Sequence, residues 1–309
     1  IQSDSLSALA DKAFEHQDYT KALKLYKQCD AIEATILGKN HIWRMTTIAN
    51  EGYCYSQLSD STNAIKCFEA HQAACQQLYN LECDAAMNTL FALGHEYYNH
   101  QFENHYPKAL NAYFQAYELA KNLNDSINYN SSLYCISLCY FSQSQENNGD
   151  EQGKYLENAE VFVRELRNDN EEDRYLKNLI YDNLANFYNK KSEEYLQDSI
   201  TLQQALDYSQ KALETYQKKP DADQGVKRLL EIYKMDCLIR SNKIQEAIEL
   251  GEDLYAAFLP IRQQESENYQ TLLQNLSYSY KVLGNEEKNI FYLNLLSTSY
   301  TQSNQTQNE

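Results

Sequence analysis

Small and aromatic residues recur along the chain at helical spacings. Gly52 and Tyr55 lie three residues apart, and Ala64 and Phe68 follow on the next apolar stretch. The aromatic residue of the first pair reappears at Tyr97, Tyr140, Tyr188 and Tyr280, with Leu238 in the position between the last two. Successive steps are 42, 43, 48, 50 and 42 residues. Self-similarity at such a period indicates a repeat array in which each unit packs on its neighbours, rather than one central core.

The composition predicts helix throughout, because three prolines and eight glycines leave long uninterrupted stretches and no segment alternates with period two. We therefore predict an all-α, right-handed α-solenoid of about seven helix-turn-helix repeats in one array over residues 1–300. Polar loops are predicted at 145–153 and 190–199, and a polar, disordered tail at 301–309. The predicted repeats cover 5–36, 42–80, 84–123, 127–168, 173–218, 224–259 and 265–300.

Glycine occupies the same position in two successive predicted helices, as Gly52 and Gly94. Glycine inside a helix costs about 1 kcal/mol relative to alanine, so its presence needs a reason. We predict that both glycines are buried where two helices approach closely. The sixth repeat matches the pattern least well, because Met235 and Leu238 replace its small and aromatic residues.

The formal net charge is −17, from 27 basic and 44 acidic residues. This charge disfavours nucleic acid, because phosphate binding needs clustered Lys and Arg. A protein or peptide partner, basic or otherwise, is compatible with it, and so is a solvated helical surface without a ligand. No apolar run reaches the length of a membrane span, so membrane insertion is not predicted.

The sequence is compatible with a cytoplasmic and with an exported protein. The chain begins at Ile1, which leads us to expect that an upstream signal peptide, fusion partner or domain was removed. Eight cysteines show no compact disulfide spacing, so buried free thiols are predicted, and these lean towards a reducing compartment.

Catalytic, metal and cofactor sites are not predicted. Cys67, His71 and Cys75 lie four residues apart on one helix face and could supply metal ligands, but His71 falls at a packing position, which favours a buried histidine. His95 and His100 are five residues apart, about 140° around a helix, and cannot share a metal as an i, i+4 pair does. Phosphate-binding loops and the Gly-x-Ser-x-Gly elbow are missing from the sequence.

The repeating residues resemble the tetratricopeptide repeat, whose consensus places Leu-Gly and then Tyr on the first helix and Ala and then an aromatic residue on the second. Gly52, Tyr55, Ala64 and Phe68 match that spacing without gaps, as do Gly94 and its neighbours. Steps of about 42 residues are similar to the longer-helix variant found in kinesin light chain and in many bacterial scaffold proteins.

The resemblance implies that first helices line a concave groove, where an asparagine two residues before the small residue can bind a peptide backbone. Asn50, Asn183 and Asn275 occupy that position, whereas Ala92 and Cys135 interrupt the series. These asparagines are the candidate partner-binding residues. The structural alternative is that they bond neighbouring groups of their own helices.

A second mode known from this superfamily is the carboxylate clamp for chaperone C-termini, which needs asparagine just after the small residue. Those positions hold Asp11, Tyr53 and His95, so that mode is disfavoured. The sequence favours a non-catalytic protein-interaction scaffold that binds a peptide or protein segment in its groove. The alternative is a ligand-sensing or regulatory repeat module of a larger signalling protein, whose output domain is absent from this chain.

Overall fold

The computed structural model describes residues 2–38, 41–79, 84–100, 104–168, 170–197 and 201–306. Within these ranges the chain forms fourteen α-helices and no strand, as the sequence predicts. The helices are α1 (Gln2–Glu15), α2 (Tyr19–Ile36), α3 (Ile42–Gln57), α4 (Ser61–Tyr79), α5 (Asp84–Asn99), α6 (His105–Asn122), α7 (Ser126–Glu146), α8 (Gly149–Val163), α9 (Glu171–Tyr195), α10 (Leu202–Gln217), α11 (Gln224–Arg240), α12 (Ile244–Phe258), α13 (Ser266–Val282) and α14 (Glu286–Thr306).

Each odd-numbered helix packs against the helix that follows it, which gives seven successive hairpins. We call the odd-numbered helices first helices and the even-numbered ones second helices. Each second helix also packs against the next first helix within its part of the chain, as in α2 with α3 and α12 with α13. The predicted fold class, an α-solenoid of helix-turn-helix repeats, is confirmed.

The chain divides into two compact units, residues 1–168 and residues 169–309. We call them the N-terminal unit, with four hairpins, and the C-terminal unit, with three. The extent of a single array over residues 1–300 stays a prediction, and each unit is described by itself below.

The tight turns inside several hairpins share one local cause. At the end of α1, Gln17 adopts φ 61° and the amide of Asp18 donates back to the carbonyl of Ala13 at 2.9 Å. This left-handed residue satisfies the last carbonyls of the helix and reverses the chain. The side chain of Asp18 then accepts a hydrogen bond from an amide in the first turn of α2. The same arrangement recurs at residues 59–60 and 284–285.

Gly52 and Gly94 are both buried against the aromatic ring of their second helix, so that prediction is confirmed. A Cβ atom at Gly52 would lie 2.7 Å from Cε1 of Phe68, and one at Gly94 would lie 2.7 Å from Cδ1 of Tyr113. Side-chain atoms cannot approach that closely. Glycine is therefore required for the aromatic ring to seat against the first helix.

The sixth hairpin uses the same contact with the two sizes exchanged. We call the first-helix position held by Gly52 and Gly94 the small position. In the sixth hairpin this position holds fully buried Met235, and the second helix carries Gly251 where α4 and α6 carry an aromatic residue. A Cβ atom at Gly251 would lie 2.7 Å from Cε of Met235 and 2.7 Å from Cδ2 of Leu276. The poor match of this repeat to the sequence pattern thus reflects an exchange of large and small partners.

Tyrosine hydroxyls and ring faces join consecutive hairpins. The hydroxyl of Tyr97 donates to Oε1 of Glu69 at 2.7 Å, and the hydroxyl of Tyr280 donates to Oε1 of Glu252 at 2.6 Å. Both carboxylates lie on the preceding second helix at the same register position. Tyr55 instead receives Lys27 over its ring, with Nζ 5.1 Å from the ring centroid.

Two connections and the C-terminal segment differ from those predicted. The loop expected at 145–153 is short, because α7 ends at Glu146 and α8 begins at Gly149. The loop expected at 190–199 is helical up to Tyr195, where side-chain bonds such as Lys191 Nζ to Glu194 Oε2 at 3.1 Å stabilise two further turns of α9. The tail expected to be disordered from residue 301 continues α14 to Thr306, and residues 307–309 lie outside the described ranges.

Candidate peptide-binding surface

Each unit has one pair of successive first helices in direct contact. In the N-terminal unit α3 contacts α5 directly, and in the C-terminal unit α11 contacts α13. No two successive second helices contact each other to that extent among the described residues. When first helices approach one another more closely than second helices do, the row of hairpins curves towards the first helices. At these two contacts, the faces of the first helices that point away from the second helices therefore line a concave side.

One stripe of side chains runs along that face of each first helix. It comprises the residues two before, one after and five after the small position, which share one helix face because they are spaced i, i+3 and i+7. We call this set the first-helix stripe. In the C-terminal unit it consists of Asn183, Asn186 and Lys190 on α9, Tyr233, Asp236 and Arg240 on α11, and Asn275, Tyr278 and Val282 on α13. All nine of these side chains are half-buried or exposed.

The three predicted binding residues are divided between the two units. Asn50 lies on α3 of the N-terminal unit, whereas Asn183 and Asn275 lie on α9 and α13 of the C-terminal unit with α11 between them. All three are half-buried. Nδ2 of Asn183 donates to the carbonyl of Leu179 at 2.8 Å, as the structural alternative expects, although the amide keeps a second N–H and its carbonyl oxygen for a ligand. Their role in binding stays a prediction.

The residues just after the small position are used within their own hairpins in the first part of the chain. Oδ1 of Asp11 accepts from the hydroxyl of Tyr26 at 2.6 Å, and the Tyr53 ring lies 5.0 Å from that of Phe68. In the third hairpin, Nδ1 of His95 is 3.0 Å from the hydroxyl of Tyr113. These three side chains support the aromatic residues of the second helices, so this one position of the stripe serves packing in the first three hairpins.

The C-terminal unit has a pocket of about 320 Å³ between α9 and α11. The whole stripe of α11 lines it, facing the last turns of α9. The lining residues are Asn189, Ser192, Glu193, Leu196, Gln197, Tyr233, Asp236, Cys237 and Arg240.

The buried side of the pocket is formed by Ser192 and Cys237. Both are almost fully buried, and the two side-chain atoms Oγ and Sγ are 3.3 Å apart. The hydroxyl of Ser192 also donates to the carbonyl of Ala205 at 2.8 Å, which fixes its position. Burial raises the pKa of the Cys237 thiol, so the sulfur stays protonated near neutral pH. A protonated, buried thiol is a packing residue rather than a nucleophile.

The rim of the pocket carries two carboxylates, one guanidinium and one aromatic ring. Oε1 of Glu193 accepts from Nδ2 of Asn189 at 3.0 Å, and Oδ2 of Asp236 pairs with Nε of Arg240 at 2.9 Å. The Tyr233 side chain is 37% exposed beside them. Because a carboxylate can accept about four hydrogen bonds, both acidic groups retain acceptor capacity directed to solvent. The rim therefore has a net negative charge and an exposed ring face.

Sequence reasoning missed this pocket for an identifiable reason. Four of the five residues that line it on the α9 side lie within 190–197, which the sequence predicted to be part of a loop. A signal was nevertheless present, because Tyr233 occupies in α11 the position that Asn183 and Asn275 occupy in their helices. Extending the register through the sixth repeat would have placed Tyr233 on the same face.

The other predicted features concern packing. His71 is 1% exposed and its Nδ1 lies 3.0 Å from the hydroxyl of Thr89, so the predicted buried histidine is confirmed. Burial lowers its pKa, which keeps the ring neutral. The seven cysteines in the described ranges are free thiols, and Cys83 lies outside those ranges. Among the described residues, none of the helices combines the length and apolar character that crossing a membrane requires.

Comparison with known proteins gives structural neighbours only. No protein-family model and no curated protein matches the chain. The crystal structure of the apo form of RapI is 11% identical with a TM-score of 0.46, covering 99% of this chain and 100% of that one. BtubC from P. vanneervenii is 17% identical with a TM-score of 0.44, covering 80% of each chain. The C-terminal part of a TPR repeat-containing protein from Cytophaga hutchinsonii is 12% identical with a TM-score of 0.40, covering 92% of each chain. The chain is similar to tetratricopeptide-repeat proteins.

Proposed function

We propose that this protein is a non-catalytic interaction module that binds an extended segment of a partner protein along its first-helix stripes. The observation that carries the proposal is the stripe of the C-terminal unit, where nine half-buried or exposed side chains lie on three successive first helices and the three on α11 line a preformed pocket. Amide, tyrosine and charged side chains on a concave face supply hydrogen bonds and apolar contact area for a peptide.

The spacing of the helices suits an extended ligand. Packed helices lie about 8–10 Å apart, and an extended chain rises about 3.3 Å per residue. A peptide that crosses the helices therefore presents one residue of about every three to each first helix. The asparagine or tyrosine at the start of each stripe can then bond the peptide backbone, while the residues between the helices enter pockets.

The charge of the chain bears on the chemistry of the partner. With a formal net charge of −17, the surface repels acidic segments and favours neutral or basic ones. The cysteines also favour binding over catalysis. Burial raises the pKa of Cys54, Cys67, Cys135 and Cys139 to about 12 each, which leaves thiols with little nucleophilic thiolate.

The proposal is tested by replacing Asn50, Asn183 and Asn275 together with alanine. Peptides selected from a random display library against the wild-type chain serve as the probe. We expect binding of these peptides to weaken at least tenfold while the melting temperature shifts by no more than a few degrees, because half-exposed side chains contribute little to stability.

The matched control replaces three asparagines of second helices, Asn111, Asn158 and Asn294, with alanine. This control is expected to bind like the wild type. If the stripe variant folds and binds with unchanged affinity, the ligand uses another surface and the proposal is wrong. If it unfolds, the three asparagines are structural, as the alternative interpretation holds.

A further inference from the structure

We propose that the pocket between α9 and α11 binds one cationic side chain, arginine or lysine, of the bound segment. This inference rests on the proposed function and specifies the chemistry of the partner residue. It follows from the size of the pocket, the balance of charge on its rim and the position of Tyr233.

The size selects a single side chain. At about 320 Å³ the pocket lies at the lower end of the range of about 300–1,000 Å³ that holds small-molecule ligands. Its floor, formed by Ser192 and Cys237, is closed by their mutual contact. A long, unbranched side chain entering from the groove fits in such a space.

The charge of the rim selects a cation. Among the described residues, Arg240 is the only basic one lining the pocket, and its Nε is paired with Asp236 in the same helix, one turn away. Glu193 lies on the opposite wall and is bonded only by the neutral amide of Asn189 among the contacts that the structure describes. An incoming ammonium or guanidinium group would therefore meet the Glu193 carboxylate, which no cation in the described part of the chain compensates, on one side. On the other side it would meet the acceptor sites of Asp236 that Arg240 does not use.

Tyr233 adds a second feature that favours a cation. Its ring is partly exposed at the pocket mouth, at the stripe position that holds asparagine on α9 and α13. The face of an aromatic ring attracts cations, and a planar guanidinium can stack on it. An anionic side chain would face the same ring and the two carboxylates, which makes it the disfavoured ligand.

The experiment is a titration of the isotope-labelled, full-length chain, followed by the amide shifts of residues 189–197 and 233–240. The probes are the peptides acetyl-Ala-Ala-Xaa-Ala-Ala-amide with arginine, lysine, citrulline or glutamate at the central position. Citrulline keeps the shape of arginine without its charge. We expect saturable shifts with arginine and lysine, and at least tenfold weaker binding of the citrulline and glutamate peptides.

Two charge variants separate the pocket from general electrostatics. Glu193→Gln combined with Asp236→Asn is expected to weaken the arginine peptide at least tenfold. The matched control, Asp207→Asn with Glu249→Gln, removes two exposed carboxylates on second helices. Each of these accepts a hydrogen bond from a glutamine one turn away in its own helix. The control is expected to bind like the wild type, and thermal melting confirms that both variants fold.

Three results would overturn the inference. Equal binding of the citrulline peptide would show that charge is not recognised. Equal weakening in both variants would show that only the net charge of the chain matters. Lack of a saturable shift in the pocket amides would show that the pocket does not take a cation; if shifts then appear at Asn183 or Asn275 instead, the proposed groove function stands without this pocket.

Discussion

Glu51 is a carboxylic acid buried at a position that other repeats fill with leucine, and its replacement should change how stability depends on pH. It directly precedes Gly52, as Leu93, Leu184 and Leu276 precede the small residues of their helices. The residue is 8% exposed, and its Oε1 makes no hydrogen bond among the described residues. Burial raises the pKa of Glu51 to about 7.

The groups around Glu51 come from three helices. Asp30 and Lys27 lie on α2, Arg44 lies on α3, and the thiol of Cys67 lies on α4. The charge of Asp30 raises the pKa of Glu51, whereas Lys27 and Arg44 lower it. Oδ1 of Asp30 pairs with Nε of Arg44 at 2.7 Å, so much of the charge of Arg44 is already compensated. Desolvation therefore dominates at Glu51.

The sign and the size of the effect follow from linkage. The pKa of the carboxyl is higher in the folded chain than its ordinary value of 4.5, so the folded state binds the proton more tightly. The contribution of the protonated Glu51 carboxyl to the free energy of unfolding is fully present below pH 4.5 and is lost as the pH rises through about 7. At about 1.4 kcal/mol per pKa unit, the loss amounts to about 3 kcal/mol in total and to about 2–3 kcal/mol between pH 5 and pH 8.5.

The assay is urea denaturation of wild type and Glu51→Gln at several pH values, followed by circular dichroism at 222 nm. Buried His71, whose pKa is lowered by burial, acts with the opposite sign in both proteins. The informative quantity is therefore the difference between the two proteins. We expect the variant to gain about 2–3 kcal/mol over the wild type between pH 5 and pH 8.5.

Glu51→Leu restores the residue type of the other repeats and should exceed the wild type in stability at pH 8.5. Glu118→Gln, an exposed carboxyl on α6 of the same unit, serves as the control and should follow the wild type. Parallel pH curves for wild type and Glu51→Gln would refute the reasoning, because they would mean that the carboxyl remains solvated in the folded state.

The remaining predictions concern packing between helices and one hydrogen bond. Gly94→Leu should overpack against the second helix and cost about 1–3 kcal/mol, measured by urea denaturation; an unchanged midpoint would contradict the repeat register. Met235→Ala should leave a cavity and cost about 2–5 kcal/mol. Gly251→Leu should be destabilising alone but less so in the Met235→Ala background, and strict additivity in this double-mutant cycle would argue against the exchanged packing. Tyr97→Phe loses its bond to an exposed carboxylate and should cost about 1 kcal/mol, with little effect expected from the same change at exposed Tyr278.

The repeat architecture could be predicted from the sequence because its determinants are local. Gly52 and Gly94 mark close helix contacts, and residues such as Asp18 end one helix and cap the next. Two helix extensions were missed because polar side chains such as Lys191 and Glu194 resemble a loop in composition while their i, i+3 and i, i+4 bonds stabilise a helix.

The candidate site was only partly predictable for a different reason. The stripe follows from the register of each first helix, so Asn183 and Asn275 could be assigned to one face from the sequence. The pocket depends on how α9 and α11 are placed and on the extra turns of α9. Such pairwise arrangements between helices leave no periodic signal in the sequence.

The central claim is that the first-helix stripes bind an extended peptide, and hydrogen exchange tests it most directly. The highest-affinity peptide from the library selection is added to the full chain, and amide protection is mapped by mass spectrometry. The account predicts slowed exchange in α9, α11 and α13, and its loss in the variant that lacks Asn50, Asn183 and Asn275. Protection confined to second helices such as α10 and α12, or protection unchanged in that variant, would contradict it.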